Sequence, residues 1–373
     1  MTDFASDLSY YYSRNIESMW LIVTYRCQFQ CYFCYTCNGN IEQDLKLEDA
    51  LIACQMHAEL GGKNVILIGG EPLLYHNLFK IIRECKKLNL NTILVTNGYS
   101  LEDKGKVHIL KKAGLTRLTL SIKRTNQSSK FNDNNFGLFE LVAKYVINLK
   151  KYGIDYEVSC LIDNKNSNAL INLIEWADLQ EVPLVLFQTY VPPPNIEHYS
   201  ESIPLPKLSA KIIEKIYQKN NENFNYPIQF TFQYPFCLLS GSVLKSMIDQ
   251  NALFGSHEVI FWGHGFALDP LGYFLPSSHW VGHALFHCDE IKVNDIMSPQ
   301  KFLEKWNSED LLNFRKSLWE NFSIISSQCR SCELWPSRCV GGNPLNWQIW
   351  DEKDLLPNDL IENNSLDRQC RNQ

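Results

Sequence analysis

Cys27, Cys31 and Cys34 stand in the run Cys-Gln-Phe-Gln-Cys-Tyr-Phe-Cys, a C-x3-C-x2-C spacing. Three thiolates this close can hold three corners of a [4Fe–4S] cube, which leaves one iron without a protein ligand. An open iron can bind an outside molecule and pass it an electron. Zinc is the competing metal: it takes four ligands, and Cys37 adds a C-x2-C pair with Cys34. Disulfides are a third use of close cysteines. They need an oxidising compartment, and the opening Met-Thr-Asp-Phe-Ala-Ser-Asp is too acidic and polar for a secretion signal.

A second motif lies 35 residues beyond Cys34: Gly69-Gly70-Glu71-Pro72, directly after the apolar run Val65-Ile66-Leu67-Ile68. A buried strand ending in two glycines exposes backbone to a ligand, because no side chain blocks approach. Glu71 offers a carboxylate to an ammonium group. Thr96-Asn97-Gly98 closes the next apolar run. In this order the motifs resemble the radical S-adenosylmethionine (radical SAM) enzymes. The resemblance implies that Cys27, Cys31 and Cys34 hold a [4Fe–4S] cluster whose fourth iron binds S-adenosylmethionine. Gly69, Gly70, Glu71 and Pro72 would meet the cofactor's amino group, with Thr96 and Asn97 beside them.

Composition agrees with an enzyme. The chain has 373 residues, 45% of them apolar and 20% charged, enough for one large domain and a smaller one. Its net charge is −6 and its basic residues fall on helical patterns, so no nucleic-acid partner is expected. The first apolar run is too short to span a membrane, so no membrane partner is expected either. Thirteen cysteines without a secretion signal point to metal clusters in a reducing cytoplasm.

The elements that must position these residues alternate. Apolar runs at 19–24, 64–68, 91–96, 117–122, 155–162 and 184–189 read as buried strands. Between them, helical spacing appears at 47–60, in Leu78, Ile81, Ile82 and Cys85, and in Phe139, Val142, Val146 and Leu149. Six such units predict an α/β fold, a partial (β/α)6 TIM-type barrel with its ligands at the carboxyl ends of the strands. The resemblance adds further cofactor contacts there: Phe33 near the adenine, then Ser121, Lys123, Leu161 and Gln188 at the ends of strands four to six. Cys54, Cys85 and Cys160 lie on apolar faces and read as core thiols. Three prolines at 192–194 mark the expected end of this core, 1–192. Residues 193–260 are expected to be a linker and helical connection, and 261–373 a second domain.

That second domain carries Cys329, Cys332, Cys339 and Cys370, with Gly341-Gly342 after the third. Residues 266–276 read as a β-hairpin with a Pro-Leu-Gly turn, and 301–306 and 311–318 as helices. The order resembles the small α+β SPASM or twitch extension of radical SAM enzymes. The resemblance implies that the four cysteines bind one auxiliary [4Fe–4S] cluster. The cysteines of a second, nearer auxiliary cluster are replaced: the hairpin ends in Pro276-Ser277-Ser278, and Asn343 stands in the C-terminal block. Zinc at the same four residues is the alternative, and Cys288 is an alternative to Cys370 as fourth ligand.

The family's chemistry is reductive cleavage of S-adenosylmethionine, fed by a flavodoxin- or ferredoxin-type donor, to a 5′-deoxyadenosyl radical that takes hydrogen from a substrate C–H bond. Enzymes with extensions of this kind mostly modify peptides, so the resemblance implies a maturase of a ribosomally made peptide that forms a crosslink or makes another C–H modification. No leader-binding domain is expected before the first strand, so a peptide is expected to bind the barrel directly or to arrive with a partner. A small-molecule dehydrogenase or rearranging enzyme is the second reading, and a non-catalytic iron–sulfur or zinc protein the third. The space left by the missing cluster is expected to be lined by Ser277, Ser278, His279 and Asn343. His279 is the catalytic candidate, since an unperturbed histidine titrates near neutrality.

Overall fold

A computed structural model describes residues 8, 12–13, 15–31, 33–36, 42–122, 136–164, 169–194, 201, 203–255, 263–323, 332–335 and 338–357, without the side chains of 136–141, 319–323 and 352. Among these, six strands alternate with helices as expected. They are β1 (Ser18–Ile22), β2 (Asn64–Ile68), β3 (Asn91–Thr96), β4 (Arg117–Ile122), β5 (Asp155–Leu161) and β6 (Val185–Gln188). The helices between them are α1 (Leu47–Glu59), α2 (Leu78–Lys87), α3 (Lys104–Ala113), α4 (Phe136–Lys151) and α5 (Ala169–Leu179). All adjacent pairs from β1 to β6 are parallel. This is an α/β partial barrel.

The two faces of the sheet differ. Leu21, Val65, Leu67, Leu94, Leu118, Leu120, Val158 and Phe187 are fully buried beneath the helices. In α2 the matching stripe is Leu78, Ile81, Ile82 and Cys85, the i, i+3, i+4, i+7 spacing that turns one helical face inward. Cys54 and Cys85 meet in this layer with their sulfurs 3.6 Å apart, and Cys160 is also buried. The alternate strand residues face the concave side. Trp20, Ile68, Val95, Ser121, Leu161 and Gln188 there remain partly accessible.

The expected linker, 193–260, carries more of the sheet than its prolines suggest. It holds α6 (Pro206–Asn223), β7 (Ile228–Thr231), α7 (Gly241–Asp249) and β8 (Leu253–Phe254). Strand β7 pairs in parallel with β6, and β8 with β7. The prolines follow the end of β6 at Gln188, but a helix returns the chain to the same sheet. Runs of four and two residues are too short to show a period in the sequence.

The expected hairpin is present as β9 (Gly265–Leu268) and β10 (Tyr273–Leu275), antiparallel to each other. The far side of β9 pairs in parallel with β1. With β11 (Phe286–His287), the hairpin therefore extends the barrel's own sheet, in the order β11-β10-β9-β1-β2-β3-β4-β5-β6-β7-β8. Among the described residues the sheet stays open, its two end strands β11 and β8 not pairing with each other. A short ribbon of β12 (Lys292–Val293) and β13 (Ile296–Met297) leads to α8 (Pro299–Trp306), α9 (Glu309–Ser323) and α10 (Glu352–Leu355). Phe266, Phe274, Phe302 and Trp306 pack ring against ring between hairpin and helices. Among the described residues, no helix is long and apolar enough to cross a membrane.

Candidate functional site

The loop that carries the three cysteines leaves β1 at its carboxyl end and is tied down at its stem. Arg26 grips Asp44 with two hydrogen bonds, Nε to Oδ1 at 2.9 Å and Nη2 to Oδ2 at 2.6 Å. The same guanidinium reaches the Leu74 carbonyl at 3.0 Å, and the Thr24 hydroxyl donates to Asp44 Oδ1 at 2.6 Å. Burial pushes the Asp44 carboxyl up, but the Arg26 and Thr24 hydrogen bonds outweigh it and hold it below the usual carboxylate range.

Gly69 and Gly70 serve this stem. The N–H of Gly70 donates to the Thr24 carbonyl at 2.7 Å, and that of Glu71 to the Arg26 carbonyl at 2.8 Å. A Cβ on Gly70 would lie 2.3 Å from the Arg26 carbonyl oxygen, and one on Gly69 2.4 Å from that of Thr24. The glycines therefore let the protein's own backbone approach, whereas the sequence suggested room for a ligand.

Glu71 is likewise turned inward. It is 1% exposed and accepts from Leu73 N–H at 2.9 Å, the Thr96 hydroxyl at 2.6 Å and Asn97 N–H at 2.8 Å. Its carboxylate clamps the end of β2 to the end of β3, and Pro72 opens the short 3-10 turn Pro72–Leu74 beneath it. Asn97 is thereby fixed beside the cysteine loop: its Oδ1 accepts from Gln28 Nε2 at 3.0 Å and its Nδ2 lies 4.0 Å from Cys27 Sγ.

Cys27 is exposed, Cys34 intermediate and Cys31 buried. The Phe29 N–H points at Cys27 Sγ at 3.4 Å, and Thr36 Oγ1 lies 3.0 Å from Cys34 Sγ. Polar groups directed at sulfur suit thiolates that carry a cluster's charge. Gln28 Oε1 is buried beside them without a partner among the described residues, so the loop keeps a polar atom its own chain does not satisfy. Three thiols on a braced loop fit a [4Fe–4S] cluster held at three corners. Cys37, the fourth ligand that zinc would need, lies outside the described residues.

The hairpin closes the other side of this loop. Tyr25 Oη donates to Asp269 Oδ2 at 2.9 Å, and Asp269 Oδ1 also accepts the N–H groups of Leu271 and Tyr273. Burial pushes the Asp269 carboxyl up against these hydrogen bonds. The rings of Tyr35 and His279 meet at 5.4 Å, which brings the sequence's catalytic candidate to the residue after Cys34. Burial pushes the His279 imidazole down to about 4, not near neutrality as the sequence suggested, so it is uncharged at pH 7. Burial, with the Cys34 and Cys27 thiols behind it, pushes the Tyr35 phenol up. Sequence reasoning missed Tyr25, Tyr35 and Asp269. Tyr35 stands next to a cysteine ligand, but no local pattern pairs it with residue 279.

The register brings three other expected residues together. Ser121 stands opposite Ser159, and Leu161 opposite Gln188, so Ser121, Leu161 and Gln188 share the concave face near the carboxyl ends of β4 to β6. Phe33 is half-buried against the main core. Lys123, Cys329 and Cys370 lie outside the described residues. Ser277 and Ser278 are buried at the end of the hairpin. Asn343 is 1% exposed and caps the turn Pro344–Gln348, its Oδ1 accepting from Leu345 N–H at 3.0 Å, so it has a structural use the sequence did not show.

Cys332 and Cys339 lie on a loop whose Gly341 N–H points at Cys339 Sγ at 3.4 Å. The loop is anchored at the ends of β6 and β7. Asn343 N–H and Asn346 Nδ2 both donate to the Gln233 carbonyl at 2.9 Å, and Asn346 Nδ2 also reaches the Tyr190 carbonyl at 3.3 Å. Cys288 is buried in the turn Cys288–Ile291. Burial pushes its thiol up to about 11, and the charged groups acting on it are Asp49, Lys292, Asp289 and Lys46, none from the Cys332–Cys339 loop.

Residues 21–177 match the model of the radical SAM superfamily. A probable GTP 3′,8-cyclase of Saccharolobus solfataricus is 27% identical over 217 residues, which is 54% of this chain and 70% of that protein. The probable GTP 3′,8-cyclase of Sulfolobus acidocaldarius is 28% identical over 181 residues, 47% of this chain and 57% of that one. Among solved structures, SuiB of Streptococcus suis superposes with a TM-score of 0.64 at 17% identity, over 93% of this chain and 77% of its own. Native anSMEcpe with bound AdoMet gives 0.66 at 15% identity, over 93% and 94%. At these identities the two structures speak for the fold.

Proposed function

We propose that this chain, whose residues 21–177 match the radical SAM superfamily, is a radical SAM enzyme that removes hydrogen from a C–H bond of a ribosomally made peptide. One observation carries the reading. The cysteine loop, the Glu71 clamp and the hairpin converge at one end of the sheet, joined by the hydrogen bonds of Gly70, Asn97 and Tyr25.

When bound, the [4Fe–4S] cluster and S-adenosylmethionine supply an electron and a 5′-deoxyadenosyl radical able to attack an unactivated C–H bond. Cys27, Cys31 and Cys34 would hold the cluster. Gly70 and Arg26 set the height of their loop above the sheet. Asn97, fixed by Glu71, and the row Ser121, Leu161 and Gln188 form the surface against which S-adenosylmethionine is oriented. Tyr25 and Asp269 hold the hairpin across the opening and exclude water. His279, neutral at pH 7, can accept a proton that leaves the substrate.

The peptide reading is supported by the extent of the fold likeness, which covers 93% of this chain. SuiB is known bound to the precursor peptide SuiA, and anSMEcpe bound to the Cp18Cys peptide. In this reading Cys329, Cys332, Cys339 and Cys370 hold one auxiliary [4Fe–4S] cluster in a SPASM- or twitch-like domain, and a flavodoxin- or ferredoxin-type protein in the cytoplasm provides electrons. The names of the sequence relatives favour a second reading, a small-molecule substrate, but their matches reach only about half of this chain.

Anaerobically reconstituted, reduced protein should convert S-adenosylmethionine to methionine and 5′-deoxyadenosine. Peptides encoded by short neighbouring reading frames, and GTP, are then supplied in parallel. Consumption of GTP with no change in any peptide would replace the first reading by the second.

A further inference from the structure

We propose that Gln28 is a positioning residue for the cluster of Cys27, Cys31 and Cys34. Through Asn97 it holds an amide NH2 toward Cys27 Sγ, and so raises the potential at which that cluster accepts an electron. This deepens the radical SAM reading above and rests on it, but not on the identity of the substrate.

The orientation of the Asn97 amide is fixed by its partners. Its Oδ1 accepts from the Tyr99 backbone N–H at 3.0 Å and from Gln28 Nε2 at 3.0 Å. A backbone N–H can only donate, so the oxygen must lie at that end and the NH2 at the other. The NH2 then lies 4.0 Å from Cys27 Sγ. At that distance the contact is weak, and the amide acts as an oriented dipole whose direction decides its effect. The Asn97 backbone is held as well, its N–H donating to Glu71 Oε2 at 2.8 Å. Gln28 directly follows Cys27, so its hydrogen bond ties the amide at the end of β3 to the loop that carries the sulfur. The Tyr99 bond lies within the turn after β3 and gives the amide no reference to that loop.

Other contacts already brace the loop. The Phe29 and Tyr99 rings meet edge to face at 6.0 Å across the same gap. The Glu71 N–H donates to the Arg26 carbonyl at 2.8 Å. Those contacts hold the loop but aim no side-chain donor at Cys27. The Phe29 N–H reaches the same sulfur at 3.4 Å, and Asn97 adds a side-chain donor to that backbone one. An added electron increases the negative charge on the sulfurs of an iron–sulfur cluster. Donors directed at those sulfurs stabilise the reduced form and raise the reduction potential. A residue that keeps such a donor turned toward the sulfur therefore makes the electron easier to accept.

The test is a dithionite titration of the reconstituted full chain, followed by electron paramagnetic resonance without S-adenosylmethionine. The signal that changes when S-adenosylmethionine is then added belongs to the Cys27 cluster, and any second iron–sulfur signal is an internal control. Gln28→Met keeps the side chain's length and loses its amide. At a fixed potential its ratio of reduced to oxidised cluster should fall roughly threefold or more, which is about 28 mV at about 59 mV per tenfold for one electron. Asn97→Ala should shift the ratio in the same direction. Adding Gln28→Met to Asn97→Ala should then shift it no further, because the group through which Gln28 acts is gone. An unchanged potential in Gln28→Met would overturn the proposal. So would a Gln28→Met shift that persists in full in the Asn97→Ala background, or an equal shift in the control signal. If Gln28→Met takes up no iron, Gln28→His decides, since its ring keeps an N–H to donate: the potential of the unaltered protein supports the proposal, and a lowered one overturns it. Failure of the radical SAM reading shows separately, as absence from the unaltered protein of any signal that responds to S-adenosylmethionine.

Discussion

Tyr25 and Asp269 lie 244 residues apart in sequence and share a buried hydrogen bond of 2.9 Å. Tyr25 stands two residues before the first cysteine of the loop, and Asp269 directly after β9, so this bond adds to the β1–β9 pairing in tying the cluster loop to the hairpin. Tyr25→Phe leaves Asp269 with its two backbone donors and should cost about 1–3 kcal/mol, the usual penalty when a buried partner is lost. Urea unfolding of the two proteins measures it, and an unchanged midpoint would mean that the bond holds nothing.

The Glu71 clamp predicts an effect of similar origin. Glu71→Gln places an amide NH2 where one carboxylate oxygen now accepts from Leu73, Thr96 or Asn97, and two donors then face each other. The expected loss is about 1–3 kcal/mol, with weaker S-adenosylmethionine binding by isothermal titration. Gly70→Ala should be worse, because its Cβ would collide with a carbonyl oxygen that cannot move without the loop. Normal iron incorporation by Gly70→Ala would contradict that packing.

Two separate cubes predict about eight irons per chain after anaerobic reconstitution. Replacing Cys27, Cys31 and Cys34 together by Ala should leave about four irons, those of the C-terminal cysteines, and abolish 5′-deoxyadenosine formation. About four irons with one zinc in the unaltered protein would show a structural zinc at the C-terminal set.

His279→Ala should lower substrate conversion by roughly a hundredfold or more, the scale of a lost general base. Because burial holds this imidazole near 4, the acid limb of the pH–rate profile should also lie near 4 and not near 6.5. A limb at 6.5, or unchanged conversion, would remove His279 from the chemistry.

His57 and His279 also predict how stability varies with pH. Burial lowers both from the usual 6.5 to about 4. Between those values each is neutral when folded and protonated when unfolded, so the unfolded state binds more protons. Stability should therefore rise with pH across this window and be lost as pH falls through it, by up to about 3 kcal/mol for each histidine. Denaturant midpoints at pH 7 and pH 5 test the sign. In His57→Gln, which keeps a donor for the Asn64 carbonyl that His57 Nε2 now meets at 3.1 Å, the dependence should be weaker.

Local chemistry was legible in the sequence because it is written in consecutive residues. The cysteine spacing, the glycines after β2, the six apolar runs and the hairpin turn each depend on neighbours within about ten positions. They were enough for the α/β partial barrel and for the likeness to the radical SAM model that residues 21–177 match. Only the tertiary structure could decide which distant surfaces meet. It placed β9 beside β1, added β7 and β8 from a stretch that reads as a linker, and joined Ser121, Leu161 and Gln188 on one face. It also turned Gly70 and Glu71 toward the protein's own backbone, paired Tyr25 with Asp269, and set His279 against Tyr35, where burial takes its charge away. Parallel pairing leaves no local period, and the burial that shifts a pKa is supplied by side chains from elsewhere in the chain.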